Sequence, residues 1–186
     1  MAEKIFYIIA GANGSGKTSF AKSYAELNNL HFINADEIAA LYDPNDIQKY
    51  KIKAGKEFFR QLNEYIIEKN ESFIIETTLS GKYLLDIITK AKEKKFKVVL
   101  IYLFLETEQE HIFRVRHRVL NGGHDVPTED IIRRYKRSRK LFWNLYKDMV
   151  DNWIIFYNGD DGYELVANEN EIFQEEFYNL FSKEAQ

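Results

Sequence analysis

The sequence lacks cysteine, which excludes disulfide bonds and thiolate metal sites from this chain of 186 residues. It also lacks any apolar run near the roughly 18 residues that a membrane-spanning helix needs. The first apolar run, Ile5 to Ala10, leads into a glycine-rich loop and does not have the layout of a secretory signal peptide. We therefore expect a cytoplasmic protein that does not contact a membrane.

A strong net charge is absent as well. Lys and Arg number 26 and Asp and Glu number 29, so the formal net charge is −3. Such a balance provides no global attraction to nucleic acid, and we do not expect nucleic acid as a partner. The length and an ordinary composition, 45% hydrophobic and 30% charged, predict one domain over residues 1–186 with a sizeable core.

The most informative pattern is an octapeptide that begins at Gly11 and ends at Thr18. A glycine, four residues and then Gly-Lys-Thr is the spacing of a phosphate-binding (Walker A) loop, and a strand before it and a helix after it are the context that this motif requires. Closely spaced glycines let backbone N–H groups converge on phosphate oxygens. We predict that the following residues bind ATP: Gly11, Ala12, Asn13, Gly14, Ser15, Gly16, Lys17, Thr18 and Ser19.

Apolar runs alternate with helical patterns along the chain. This alternation predicts an α/β fold with a doubly wound, mostly parallel, five-stranded sheet, as in P-loop kinases. The predicted strands are residues 4–10, 31–34, 72–76, 98–105 and 153–157, with 163–167 as a candidate short edge strand. The predicted helices are residues 16–28, 37–42, 46–70, 81–94, 107–120, 128–150, with Thr128 as a candidate N-cap, and 170–183.

Asp36 follows the second predicted strand. Ligands of open parallel sheets bind beyond the carboxyl ends of the strands, so a carboxylate at this point is a candidate catalytic group. We predict that Asp36 is the general base that accepts a proton from an attacking hydroxyl and that it contacts the substrate. The alternative is a structural role as N-cap of the helix at 37–42.

Glu76, Thr77 and Thr78 follow the third predicted strand, which we expect beside the first. Glu76 is therefore predicted to lie near Thr18, where the two side chains could hold Mg²⁺. All three residues after the strand are also predicted to bind substrate hydroxyls. Their alternative is a polar strand end without a function, and Glu106, at the end of the fourth strand, is a weaker rival for the metal.

The segment from Arg114 to Lys140 contains nine Lys and Arg and three acids. It turns at Gly122-Gly123, and we predict a helical lid over about 107–150 that brings arginines onto the transferring phosphoryl group. A solvated helix face and a nucleic-acid patch are the alternatives. The arginines predicted to reach the phosphate are Arg118, Arg134 and, next in order, Arg137.

His124 lies in the turn of this segment. It either contacts substrate or nucleotide or makes a hydrogen bond within the loop, and the sequence favours neither. The other histidines have no zinc-type spacing.

Four motifs, in order, resemble the zeta-toxin-like family of P-loop kinases, in particular its chromosomal branch. The resemblance covers about residues 4–160. Its motifs are the loop Gly11–Thr18, the segment Ile33-Asn34-Ala35-Asp36-Glu37-Ile38, the segment Glu76-Thr77-Thr78-Leu79-Ser80-Gly81, and the stretch from Arg118 through Gly122-Gly123-His124-Asp125-Val126-Pro127 to Ser138.

This resemblance implies ATP-dependent phosphorylation of a hydroxyl on a small substrate, which in the toxin members is UDP-N-acetylglucosamine. It implies that Lys17 contacts phosphate, that Asp36 is the base and that Glu76 lies by substrate or metal. Arg118 and Arg134 would be the lid arginines. An antitoxin partner is compatible with the resemblance, although no residue pattern supports one. The alternative function is a nucleotide-driven ATPase or switch that acts on a protein or nucleic acid.

Overall fold

The computed structural model describes residues 3–43 and 46–183. Within these ranges the chain forms one six-stranded sheet and seven α-helices. The strands are β1 (Ile5–Ala10), β2 (His31–Ile33), β3 (Phe73–Thr77), β4 (Lys97–Phe104), β5 (Asn152–Gly159) and β6 (Gly162–Asn168). The helices are α1 (Lys17–Asn28), α2 (Ala35–Tyr42), α3 (Ile47–Asn63), α4 (Leu84–Glu93), α5 (Glu108–Leu120), α6 (Thr128–Asn144) and α7 (Glu175–Lys183).

The sheet has the strand order β2-β3-β1-β4-β5-β6. The first five strands of this order run parallel, and β6 pairs antiparallel with β5. The predicted α/β, mostly parallel architecture is therefore confirmed, with six strands rather than five. The candidate edge strand at 163–167 is real and longer, Gly162–Asn168, because Asp160-Asp161 supplies the two-residue turn that an antiparallel hairpin needs.

Several predicted helix features differ from the structure, and two predicted helices are shorter, since α6 ends at Asn144 and α7 begins at Glu175. The helix at 46–70 ends as an α-helix at Asn63 and continues as a π-helical segment, Glu64–Lys69. Asn34 caps α2, since its side chain accepts hydrogen bonds from the N–H groups of the second and third helical residues. At the start of α6, Pro127 occupies the N-cap position and Thr128 is the first helical residue, so the predicted Thr128 cap is wrong.

Helices cover both faces of the sheet, and the alternation along β1 explains the two cores. Phe6 and Ile8 face a large cluster that includes side chains of α3, α4, α6 and α7. Ile9 faces the opposite way, into a smaller cluster with α1. Among the described residues no helix combines the length and the apolar character needed to cross a bilayer.

The parallel strands bring three polar segments to one edge of the sheet. The loop after β1, the turn after β2 and the end of β3 all emerge at the carboxyl ends of their strands. The register pairs Ile9 with Glu76 and Ala10 with Thr77, so the third-strand acid lies beside the start of the glycine-rich loop. The expected neighbourhood of the first and third strands is confirmed.

Candidate active site

A cleft of about 1190 Å³ opens at this edge of the sheet, between the glycine-rich loop, α2, the start of α3 and the facing ends of α5 and α6. It collects most of the residues that the sequence predicts for the site. The predicted residues that line it are Asn13, Gly14, Gly16, Lys17, Thr18, Ser19, Asp36, Glu76, Thr77, Thr78, Arg118 and Arg134. The predicted loop residues Gly11, Ala12 and Ser15 are buried behind this surface.

The start of α1 forms the phosphate-loop end of the cleft. Gly16 is the N-cap of α1. Its φ of +87° is left-handed, a conformation in which a residue with a side chain would be strained. The next residue, Lys17, is buried and donates a hydrogen bond from Nζ to the carbonyl of Ala12 over 2.9 Å. Burial lowers the pKa of Lys17, and the carboxylate of Glu76 opposes that shift. The ammonium group is thus held at the floor of the loop, where a phosphate would lie.

Three side chains from distant parts of the chain support the loop from behind. His111 Nδ1 lies 2.7 Å from the carbonyl oxygen of Asn13. Asn158 Nδ2 donates to the carbonyl of Ser15 over 3.0 Å, and the Tyr163 hydroxyl donates to the carbonyl of Gly16 over 3.0 Å. These bonds hold the carbonyl groups of the loop, and they thereby fix the peptide units whose N–H groups could serve as donors to an anion.

Glu76 connects three of the predicted site segments. Its Oε1 lies 3.9 Å from Lys17 Nζ, and its Oε2 accepts a hydrogen bond of 2.8 Å from Asn34 Nδ2. Burial raises the pKa of Glu76, while the Lys17 ammonium and a hydrogen bond from Thr18 lower it. Thr18 and Glu76 both line the cleft and bring a hydroxyl and a carboxylate to its loop end.

Asp36 is the second residue of α2 and projects from the opposite wall. Its side chain is 51% exposed, and Oδ2 lies 3.7 Å from Nε2 of His124. Burial lowers the pKa of His124, and the Asp36 carboxylate opposes that shift. Asp36 does not cap α2, so the competing structural explanation for this acid is wrong. His124 lines the cleft and lies beside the predicted catalytic acid. Its two sequence interpretations, contact with substrate or nucleotide and a hydrogen bond within the loop, stay predictions.

Arg118 and Arg134 enter the cleft from α5 and α6. Arg118 Nη2 donates to the carbonyl of His124 over 2.9 Å, and its buried Nε has no hydrogen-bond partner among the described residues. Arg134 Nη1 donates to Oδ1 of Asn13 over 2.9 Å. Arg137 is exposed and does not line the cleft.

The other charged candidates lie elsewhere. Arg139, within the basic segment, is 1% exposed and donates to the carbonyl of Leu105 over 2.6 Å, so it anchors α6 to the end of β4. Glu106 is exposed and outside the cleft lining. The basic segment therefore combines cleft arginines, exposed side chains and one core arginine.

The end of β3 and the loop after it carry the predicted threonine hydroxyl groups, those of Thr77 and Thr78. Thr77 Oγ1 lies 2.5 Å from the hydroxyl of Tyr83 and accepts a hydrogen bond from the N–H of Leu79. Leu79 is fully buried at a left-handed φ of +51°, a strained conformation for a non-glycine residue that is common at binding sites. Thr78 contacts Ser80 through the two hydroxyls, at 2.9 Å. The loop is thereby fixed with Thr78 and Tyr83 at the cleft surface.

Sequence reasoning missed the three loop supports and Tyr83. Asn158 and Tyr163 lie on the β5–β6 hairpin, far along the chain from the loop, and no local pattern connects them to it. His111 and Val115 are both buried and are four residues apart on α5, which is the helical spacing of a buried face. That spacing is the one signal that could have assigned His111 to the interior.

Comparison with protein families identifies one model over nearly the whole chain. The family model described as zeta toxin matches residues 2–171. An uncharacterized protein of Haemophilus influenzae is 33% identical over 129 residues, which are 69% of this chain and 89% of that relative.

Solved structures share the fold at low identity. The AvrRxo1-ORF1:AvrRxo1-ORF2 complex with sulphate ions aligns with all of this chain at a TM-score of 0.78 and 16% identity, and its structure with ATP gives 0.77. This chain spans 65% of the AvrRxo1 chain that it matches. The chromosomal toxin–antitoxin system PezAT of Streptococcus pneumoniae aligns with 97% of this chain and 78% of that one, at 0.69 and 17% identity.

Proposed function

We propose that this chain, which belongs to the zeta toxin family, is a kinase that transfers the γ-phosphate of ATP to a hydroxyl of a small molecule. The observation that carries the proposal is the convergence of three kinds of group on one cleft. These are the phosphate loop with Lys17, the exposed carboxylate of Asp36 and the guanidinium groups of Arg118 and Arg134. Phosphoryl transfer requires phosphate binding, a proton acceptor and compensation of negative charge.

The size of the cleft supports two ligands rather than one. Sites for a single small molecule occupy about 300–1,000 Å³, and the cleft measures about 1190 Å³. ATP would occupy the part formed by the phosphate loop and Lys17. The acceptor would occupy the part between Asp36, Thr78 and Tyr83, with its reacting hydroxyl toward the γ-phosphate. We further propose that residues 107–150 act as the lid of a single kinase domain.

In the proposed reaction, the acceptor oxygen attacks the γ-phosphorus as the bond to the β–γ bridging oxygen breaks. Asp36 accepts the hydroxyl proton, and ADP leaves with the bridging oxygen. Lys17, Arg118 and Arg134 offset the charge on the transferring group and on the leaving diphosphate. The orphan Nε of Arg118 is a buried donor that a phosphate oxygen would satisfy.

Thr18 and Glu76 fit a magnesium ion. Mg²⁺ prefers oxygen ligands and binds to ATP enzymes through one or two protein groups and the phosphates. The Thr18 hydroxyl and the Glu76 carboxylate are such oxygen ligands, and both line the cleft beside Lys17. When bound there, Mg²⁺ would supply charge neutralisation on the β- and γ-phosphates.

A UDP-N-acetyl sugar is the first acceptor to test, because the toxin members of the family act on such a sugar nucleotide. The experiment incubates the protein with Mg-ATP and a panel of sugar nucleotides and nucleosides, and mass spectrometry detects the mass of one added phosphate. Lys17→Ala should abolish both ATP binding and product. ATP consumption that needs no acceptor and accelerates with added protein or nucleic acid would instead identify an ATPase or switch.

A further inference from the structure

Asn13 is the point at which both helices of the basic segment contact the phosphate loop. Its main-chain carbonyl faces His111 of α5 at 2.7 Å, and its side-chain Oδ1 accepts a hydrogen bond of 2.9 Å from Arg134 of α6. Asn13 is itself buried, with 8% of its surface exposed. One residue of the loop is therefore bound to α5 through its backbone and to α6 through its side chain.

The contact of His111 with the loop has a defined direction. A carbonyl oxygen can only accept a hydrogen bond, so Nδ1 must carry the proton and the ring is the Nδ1–H tautomer. His111 is 1% exposed, and burial lowers its pKa to about 3, so the ring is neutral. Tyr135 of α6 packs edge-on against this ring at 5.1 Å between centroids and donates its hydroxyl to the carbonyl of Glu106. The Asn13 carbonyl and the Tyr135 ring together fix the orientation of the His111 ring.

The backbone of α5 also lies against the loop. A Cβ on Gly14 would be 2.7 Å from the carbonyl oxygen of His111, and Gly14 has a left-handed φ of +85°. A larger residue at position 14 would therefore displace the helix or the loop. This close approach brings the N-terminal half of α5 and the loop together as one packed unit.

Arg134 is held in a similar way. Asn13 Oδ1 fixes one guanidinium nitrogen, and Asp130 lies 3.6 Å from the other on the helix side. The guanidinium is therefore aligned at the rim of the loop, and the amide of Asn13 is the group on the loop that aligns it.

We propose that His111 and Asn13 are positioning residues that join the phosphate loop to α5 and α6. His111 holds the Asn13 carbonyl away from the cleft so that the loop N–H groups face the phosphates. The Asn13 side chain places Arg134 for the phosphoryl-transfer step. The inference rests on the proposed kinase function and adds to it two residues that need not touch the reacting atoms.

The role of His111 is tested by direct binding of ATP without acceptor, measured by calorimetry. His111→Leu keeps the site apolar but removes the donor, and we expect ATP binding about tenfold weaker because a buried loop carbonyl loses its partner. His111→Asn keeps an N–H donor near the position of Nδ1 and should restore most of that affinity. His117→Leu, the same change at an exposed position of α5, is the matched control and should bind ATP normally.

The thermal midpoint of each variant separates positioning from folding. Equal ATP affinity for folded His111→Leu and the wild-type protein would overturn the role of His111. So would a folded His111→Asn that binds as weakly as His111→Leu. If His111→Leu does not fold, His111→Asn is still expected within about threefold of the wild-type affinity, and a larger loss would contradict the donor assignment.

The role of Asn13 is tested by a double-mutant cycle with Arg134, using the turnover number for the acceptor found in the screen. Asn13→Ala should lower kcat about tenfold with little change in KM for ATP, because one charge-assisted hydrogen bond is lost. Arg134→Ala should lower kcat further, and adding Asn13→Ala to Arg134→Ala should have almost no additional effect. Additive losses would show that the two residues act independently and would overturn the inference.

These outcomes are distinct from a failure of the proposed function. If the wild-type protein does not bind ATP, the proposed kinase function fails at its first step. If the wild-type protein binds ATP and transfers phosphate while every variant at positions 13 and 111 behaves normally, only the positioning roles fail.

Discussion

The two walls of the cleft differ in how their functional side chains are held. On the loop wall, formed by residues 13–19, the Lys17 side chain is 5% exposed and the backbone carbonyls accept bonds from His111, Asn158 and Tyr163. On the acid-bearing wall, formed by Asp36 with the loop after β3, the Asp36 side chain is 51% exposed. The first wall is fixed by burial, and the second is half solvated.

This difference matches what each wall is proposed to bind. A triphosphate is the same in every reaction cycle, so a rigid and fully bonded loop suits it. An acceptor varies between related enzymes, and a solvated carboxylate beside short polar side chains can change its neighbours without disturbing the core. We infer that substitutions on the loop wall alter nucleotide affinity or stability, while substitutions on the acid-bearing wall alter turnover or acceptor choice.

The largest expected effect comes from a substitution on the acid-bearing wall that should change turnover but not ATP affinity. Asp36→Asn keeps the shape of the side chain but removes the proton acceptor, and we expect kcat to fall by about 10²–10⁴-fold. ATP affinity should remain close to that of the wild-type protein, because Asp36 lies on the other wall. Steady-state kinetics and calorimetric ATP binding measure the two quantities. Normal turnover in this variant would remove Asp36 from the mechanism.

The buried arginine that anchors α6 to the end of β4 predicts the next effect. Arg139→Ala removes the buried guanidinium that joins α6 to Leu105 and to the rings of Phe104 and Tyr135. We expect a loss of about 3 kcal/mol in the free energy of unfolding. Arg137→Ala, an exposed change on the same helix, should stay within about 0.5 kcal/mol. Denaturant unfolding compares the two, and equal stabilities would contradict the structural role of Arg139.

The loop wall should also make the protein sensitive to acid. The pKa of His111 falls from its ordinary value of 6.5 to about 3 on folding, so below pH 6.5 the unfolded chain binds a proton that the folded chain does not. The contribution of His111 to the free energy of unfolding is complete above pH 6.5. It falls by about 1.4 kcal/mol for each pH unit as the pH drops toward 3.

His111→Asn should reduce this slope. The remaining slope comes from His31 and His124, whose pKa values burial also lowers, and from carboxyl groups such as Glu57, whose pKa is lowered by Arg60, and Glu76, whose pKa is raised by burial. Unfolding free energies measured from pH 7 to pH 4 provide the test. His117→Asn, the same change at an exposed position of α5, is the matched control. An unchanged slope in His111→Asn would mean that this histidine is not kept neutral by the fold.

The smallest expected effect comes from the loss of one peripheral hydrogen bond of the loop wall. Tyr163→Phe removes the hydroxyl that donates to the carbonyl of Gly16, and we expect ATP binding to weaken by about two- to fivefold. Tyr157→Phe is a suitable control, since that ring stacks on Phe177 rather than on the loop. A loss confined to kcat would indicate that Tyr163 acts on the acid-bearing side instead.

The parts of the fold that depend on local pattern were predictable. The phosphate loop, its strand and its helix are consecutive in sequence, and Thr107 and Glu110 have the spacing of the capping box that begins α5. Parallel strands bring their carboxyl ends to one edge, so Asp36 and Glu76 could be assigned to the cleft from their positions alone. Local periodicity and the rules of sheet topology are sufficient for these features.

The remaining features depend on contacts between distant residues. Asn158 is 143 positions from the loop carbonyl that it binds, and no spacing rule connects the two. The arginines on α6 look alike in sequence, yet Arg134 enters the cleft, Arg137 faces solvent and Arg139 lies in the core. Helical phase separates them by about 100° per residue, and only the packing direction of α6 decides which phase faces the cleft.

The β5–β6 hairpin has a consequence for synthesis of the chain. Tyr163 and Asn158 complete the support of a loop whose own residues are made some 140 positions earlier. A growing chain that has not yet emerged past the hairpin lacks these two bonds, so we expect its loop to bind nucleotide less tightly. Full affinity for nucleotide would therefore arise late in translation, and an incomplete chain released before this point would have only the His111 support of its phosphate loop.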